Sequence, residues 1–121
     1  MTLVDTSVWI EHFNIGSRAL AALLDSNDVL LHPFIIGELS LGSFSNRSEI
    51  LRLLGQLPQA VHAGHEEVMH CVQKNQLARS GIGWIDAHLI ASALLAGARL
   101  LTADKALLKV ARRLGIASDR A

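Results

Sequence analysis

From Trp84 to Ala96 the chain reads WIDAHLIASALLA, apolar on nearly every side at helical spacing. A helix of that kind has to be enclosed by neighbours rather than laid on a surface. A short apolar run, Arg99 to Thr102, follows it and reads as a strand, so the chain must provide layers on more than one side of this helix. The rest of the sequence alternates the same two signals. Thr2 to Val4 reads as a first strand, followed by helices over about Ser7–Phe13 and Ser17–Leu24 with a break at Gly16. Val29 to His32 predicts a second strand, after which Pro33 suits the first turn of a helix carrying Phe34, Ile35, Glu38 and Leu41. Next come a polar helix over about Arg47–Leu54, a turn at Pro58, a weak third strand at Gln59–His62 and an amphipathic helix over His65–Arg79. Arg99–Thr102 is then the fourth strand and Asp104–Leu114 the last helix, with Gly115 as its C-cap. Strands alternating with helices imply an α/β domain with a mainly parallel sheet, because crossover helices return the chain to the same edge.

With 121 residues and no linker, the chain is expected to be one domain over residues 1–121, burying roughly two-thirds of the surface it exposes when unfolded. Half of it is hydrophobic, which points to a surface covered by a partner chain. Eleven basic and eleven acidic residues cancel, so long-range attraction to nucleic acid cannot come from net charge and would need a local patch. Cys71 is the single cysteine and cannot close an internal disulfide. The opening MTLVDTSVWI has neither a basic n-region nor a long apolar core, and a cytoplasmic protein is expected. The most apolar run, Leu89 to Leu101, is shorter than the roughly 20 residues of a membrane span and contains Arg99, so no membrane is expected.

Four acids stand out from this background: Asp5 in VDTSVW, Glu38 in IIGELSLG, Asp86 in WIDAHLIASA and Asp104 in LLTADKALL. Each has apolar neighbours. If the strands are parallel, helices begin at the edge where strands end, and all four acids reach that carboxyl edge, where open α/β sheets bind ligands. Carboxylates gathered out of water repel and raise one another's pKa unless a cation sits between them, so a shared divalent metal is the economical explanation. Singly, each acid has another reading: Asp5, Thr6 or Asp104 as a helix N-cap, Glu38 and Asp86 as favourable charges near a helix N-terminus. Neither reading requires apolar residues on both sides of Glu38 and Asp86, whereas ligation in a partly dry cavity does.

These segments together resemble the PIN-domain ribonucleases, specifically the VapC-type toxins of bacterial toxin–antitoxin pairs. The resemblance rests on VDTSVWI, HPFIIGELSLG and WIDAHLIASALLAGARLLTADKAL, on the order and approximate spacing of the four acids, and on the total length. It implies a three-layer α/β/α sandwich, RNA cleavage dependent on Mg²⁺ or Mn²⁺, homodimerisation, and neutralisation by a cognate VapB-type antitoxin. On that reading Asp5 and Asp86 are the most direct ligands, Asp104 completes the cluster, and Glu38 binds metal or orients the attacking water. Thr6 and Thr102 are candidates for holding carboxylates in place, though either could be a cap or turn residue. Lys105, beside Asp104, is the best candidate for an RNA phosphate; Lys109, Arg112 and Arg113 read as a solvated face.

Other readings remain at this level. The acids could serve a phosphoacceptor switch with Asp5 phosphorylated, or a non-catalytic module docking a partner's arginine. The five aromatic residues all have core-like neighbours, so base recognition is not legible. His62, His65, His70 and Cys71 cluster in sequence, but their spacing matches no standard zinc motif. His88, two positions from Asp86, is expected to be a satisfied core histidine. Val8–Phe13, with Trp9, Ile10 and Phe13, together with Ile36, Leu39 and Phe44, offers more apolar side chains than one small sheet needs. Part of that surface is expected to form a groove for an amphipathic antitoxin segment.

Overall fold

In the computed structural model, which describes residues 1–118, three short strands form a parallel sheet. They are β1 (Thr2–Val4), β2 (Val29–Leu30) and β3 (Arg99–Leu101), in the order β2-β1-β3. Two isolated parallel bridges widen it, Leu31 to Gln59 beside β2 and Leu100 to Ala117 beside β3. The expected strand at Gln59–His62 is therefore a single bridge. The pairing at Ala117, where no strand was expected, is held by Leu100 N–H to Ile116 O at 2.7 Å and Ser118 N–H to Leu100 O at 2.9 Å.

Seven helices are described: α1 (Thr6–Asn14), α2 (Arg18–Asp25), α3 (Pro33–Ser40), α4 (Arg47–Leu54), α5 (His65–Lys74), α6 (Trp84–Ala96) and α7 (Lys105–Arg113). Their boundaries have local causes. Ser17 caps α2 by accepting Leu20 N–H at 3.2 Å, and Pro33 occupies the first turn of α3, where its missing N–H removes no helical bond. Helix α5 stops at Lys74, short of the expected Arg79. Gln76 and Arg79 both take positive φ, 52° and 62°, and the chain turns there, with Leu77 N–H bonded back to Val72 O.

Successive residues of a strand point to opposite faces of a sheet. Leu3, Val4, Leu100 and Leu101 are all 0% exposed, so both faces of the sheet are covered, and the domain is a three-layer α/β/α sandwich. Helix α6 has seven consecutive buried residues, Ala87 to Ala93, as its all-round apolar sequence requires. Its ends differ from the expectation: Trp84, Leu94 and Leu95 are exposed. Trp9, expected to line a partner surface, is 2% exposed and packs on Phe13 with ring centroids 5.9 Å apart. It belongs to the core. Among the described residues, no helix is long and apolar enough to cross a membrane.

Candidate metal centre

The chain delivers its four acids to the carboxyl edge of the sheet by different elements. Asp5 directly follows β1, Glu38 lies in α3, Asp86 is in the first turn of α6, and Asp104 precedes α7. Asp5 is buried, Asp86 half-buried, and Glu38 and Asp104 exposed.

Each carboxylate has an oxygen tied down by a short-range or tertiary hydrogen bond. Asp5 is the N-cap of α1: its Oδ1 accepts Thr6 N–H at 2.8 Å, while its Oδ2 accepts the hydroxyls of Ser7 and Thr102, both at 2.8 Å. Glu38 Oε1 accepts Thr6 Oγ1 at 2.7 Å. Asp86 Oδ2 accepts Gly83 N–H at 3.2 Å, closing the first turn of α6, and Asp104 Oδ1 caps α7 through Leu107 N–H at 2.9 Å. Capping is therefore real for three of the four acids. It does not exhaust them: Glu38 Oε2, Asp86 Oδ1 and Asp104 Oδ2 accept no hydrogen bond from the described residues. One oxygen fixes the side chain and the other is left to a cation or to water.

Two threonines link three of the four acids, Asp5, Glu38 and Asp104. Thr102 Oγ1 donates to Asp5 and accepts Asp104 N–H at 3.0 Å, and Thr6, the first residue of α1, links the Asp5 turn to Glu38. Both threonines thus hold carboxylates, and Asp5, not Thr6, is the helix cap. Ser7 was missed by sequence reading. Its hydroxyl donates to Asp5 and accepts Ala103 N–H at 3.1 Å, so it ties the end of β1 to the loop after β3. The signal was present in Asp-Thr-Ser, a spacing at which a serine hydroxyl turns back on a carboxylate two residues earlier.

Electrostatically, Asp86 responds to its burial and to the other three acids. Burial raises the pKa of Asp86, the Gly83 amide opposes that shift, and the negative charges of Asp5, Asp104 and Glu38 raise it further. Like charges brought to Asp86 from three other segments of the chain disfavour its ionised form, an effect that a cation would relieve. Lys105, exposed at the start of α7, adjoins Asp104.

Around the histidines the expectations change. His88 is not a satisfied core residue: it is 5% exposed and its Nδ1 has no hydrogen-bond partner among the described residues. The grouping of His62, His65, His70 and Cys71 also dissolves. His62 packs against His32 and His88, His65 lies on Trp84 at 5.4 Å, and Cys71 is buried, its Sγ accepting Asn75 Nδ2 at 3.4 Å. Trp84, two residues before Asp86, is 42% exposed, so one aromatic ring does face solvent near this edge.

Comparison with known proteins shows the family and the fold. Residues 2–113 match the PIN domain family. The chain is 43% identical over 118 residues to Ribonuclease VapC32 of Mycobacterium tuberculosis, in both strain CDC 1551 and strain H37Rv, covering 97% of this chain and 95% of the relative. Among solved structures, FitAcB from Neisseria gonorrhoeae superimposes with a TM-score of 0.63 at 19% identity, covering 93% of this chain and 94% of that one. PAE2754 from Pyrobaculum aerophilum superimposes with a TM-score of 0.61 at 22% identity, covering 90% and 83%. At such identities the structural likeness speaks for the fold.

Proposed function

The chain belongs to the PIN-domain family, among its VapC-type ribonucleases, and we propose that it is a Mg²⁺- or Mn²⁺-dependent endoribonuclease acting as the toxin of a toxin–antitoxin pair. The observation that carries this reading is the convergence of Asp5, Glu38, Asp86 and Asp104, each with an oxygen anchored, on one sheet edge where burial first, and then the charges of the other three, raise the pKa of Asp86. The donor set suits the ion. Carboxylate oxygens are hard ligands, and Mg²⁺ usually keeps several waters while taking one or two carboxylates.

Asp5, Glu38, Asp86 and Asp104 would hold such an ion, which would supply activation of water and neutralisation of charge at the scissile phosphate. The protein's own residues do the rest. Asp5 and Asp86, the two least exposed of the four acids, are the most direct ligands, Asp5 held by three donors. Asp104 completes the cluster from the start of α7. Glu38, fixed by Thr6 yet exposed, binds the ion or orients the attacking water through its second oxygen. Lys105 meets the RNA backbone beside Asp104.

Likeness to a VapC-type ribonuclease extends the reading to an antitoxin partner. Exposed Ile10, with Phe13, Asn14, Leu39, Gly42, Ser43 and Phe44, lines a cavity of about 170 Å³ that runs to Glu38. An amphipathic antitoxin segment seated there could place a basic side chain among the acids and block phosphate entry. Leu94 and Leu95, exposed at the end of α6, are the face we assign to a second copy in a cytoplasmic homodimer. The deciding assay incubates the purified, partner-free chain with total RNA, with and without Mg²⁺, beside an Asp86→Asn variant. Mg²⁺-dependent cleavage lost in the variant is expected; cleavage indifferent to both would overturn the assignment.

A further inference from the structure

Three histidines that the carboxylate centre does not use come together from three segments of the chain. His32 is the N-cap of α3, His62 follows the Gln59 bridge beside β2, and His88 lies on α6, on nearly the opposite side of that helix from Asp86. Their ring centroids are 5.3, 6.0 and 6.4 Å apart, and one ring nitrogen from each lies within 4.8 Å of those from the other two. His32 is 0% and His88 5% exposed, while His62 opens to solvent. Phe34 packs on all three rings and Trp84 on His88, so the walls are aromatic.

Two of the ring nitrogens, His32 Nε2 and His88 Nδ1, are buried without a hydrogen-bond partner among the described residues. One orphaned imidazole nitrogen would be a local defect, but two beside a third imidazole call for a shared partner. We propose that His32, His62 and His88 form a zinc-binding site, distinct from the carboxylate centre, built where these three rings converge. Neutral imidazoles without a carboxylate among them favour a borderline transition ion over Mg²⁺. Burial first, then the neighbouring His62 and His88, lowers the His32 pKa to about 4, which keeps its ring in the neutral form a metal requires. In a tetrahedral site with Zn–N near 2.0–2.1 Å, ligand nitrogens sit about 3.3 Å apart. That spacing falls within the 4.8 Å bound, and His62, exposed on a coil, can adjust to the ion and leave a fourth, solvent-facing position for water.

Proton bookkeeping gives the site a signature. His32 Nδ1 accepts Phe34 N–H at 3.0 Å, so in the metal-free protein the ring proton sits on Nε2. Ligation through Nε2 transfers that proton to Nδ1 and releases the Phe34 amide. The ion would join the start of α3, which carries Glu38, to α6, which carries Asp86, and so steady two of the carboxylate-bearing helices. The site itself does not depend on the nuclease reading.

The test uses the full chain with excess millimolar Mg²⁺ present to occupy the carboxylates, and titrates Zn²⁺ in competition with a chromophoric chelator. Expected are one Zn²⁺ per chain, a shift of the Phe34 amide resonance on binding, and a loss of affinity of roughly 100-fold or more in His62→Ala, since even outer partners of metal ligands are worth 10–100-fold. His62 is exposed, so this variant should stay folded, which its circular dichroism will verify. Zinc binding equally well to His62→Ala, zinc fully displaced by Mg²⁺, or no zinc bound at all would each overturn the proposal.

Discussion

The Thr102 hydroxyl donates to Asp5 Oδ2 at 2.8 Å, a buried hydrogen bond between residues 97 positions apart in the chain. Its oxygen also accepts Asp104 N–H at 3.0 Å, so one small side chain sets two acids relative to each other. Thr102→Val keeps the shape and deletes both bonds. Hydrogen bonds to charged groups contribute about 1.5–3 kcal/mol, and a stability loss of that order in urea unfolding is expected, with cleavage reduced at least about tenfold by misplacement of the ligands. Thr102→Ser should restore both; a valine variant with full activity would show that Thr102 does not position the site.

Asp5→Asn should abolish RNA cleavage, but it will not be a silent fold probe. Asp5 Oδ2 receives two hydroxyl donors whose oxygens already accept Ala103 and Asp104 amides, and an amide NH₂ placed there would meet them badly. We expect about 1–3 kcal/mol of destabilisation, measured by chemical denaturation. A folded variant that cuts RNA at the wild-type rate would remove Asp5 from the site.

Asp86→Asn is the cleaner variant. Asp86 accepts a single bond, from Gly83, which an asparagine oxygen can also accept. The folded Asp86 pKa lies above its unfolded value, so its contribution to stability is most favourable below the unfolded pKa and declines as pH rises through the folded one. At neutral pH the full penalty of the buried charge applies in metal-free protein. The variant should therefore melt at the same temperature as wild type or higher without metal, yet respond less to Mg²⁺ or Mn²⁺. A wild-type melting temperature unmoved by millimolar concentrations of either ion would sink the metal-site assignment.

His32 predicts a second pH dependence with the opposite sign. Its pKa falls from 6.5 to about 4 on folding, so the unfolded chain binds more protons between these values and stability drops as pH falls from 6.5 toward 4. Up to about 3 kcal/mol is involved at 1.36 kcal/mol per unit. His32→Asn retains an oxygen to cap Phe34 N–H while removing the titrating group. Its denaturation free energy should change less between pH 7 and pH 5 than that of the wild type; an identical slope would exclude His32 as the source.

For the antitoxin groove, Ile10 rather than Trp9 is the informative position. Ile10 is 49% exposed and lines the groove, whereas Trp9 is 2% exposed and its replacement by a polar residue would damage the core. Ile10→Glu should weaken antitoxin binding by at least about tenfold, a change of about 1.4 kcal/mol, and leave the dimer intact. Unchanged affinity in calorimetry, with sedimentation showing the same oligomer, would place the partner elsewhere.

The α/β class, the enclosed helix α6 and the position of Asp5, Glu38, Asp86 and Asp104 next to strand ends or in helices that follow or precede them were legible in the sequence because burial and helix breaks are written in local pattern. Helix α6 carries its apolar residues all round, and Asp5 and Asp104 stand where β1 and β3 must end. What local pattern could not supply was any relationship between segments far apart. Ser7 reads as one more hydroxyl until the chain after β3 brings Ala103 against it. Trp9 and Ile10 are neighbours of equal apolarity, and only the packing of α1 decided that one is core and the other surface. His32, His62 and His88 share no spacing, and their meeting depends on where β2, the Gln59 bridge and α6 lie in space. The sequence by itself determined which residues had to leave water and which elements they would form, since those depend on side-chain chemistry at short range. The tertiary structure decided which polar groups face one another, because hydrogen bonds and charge repulsion act over a few ångströms whatever the separation along the chain.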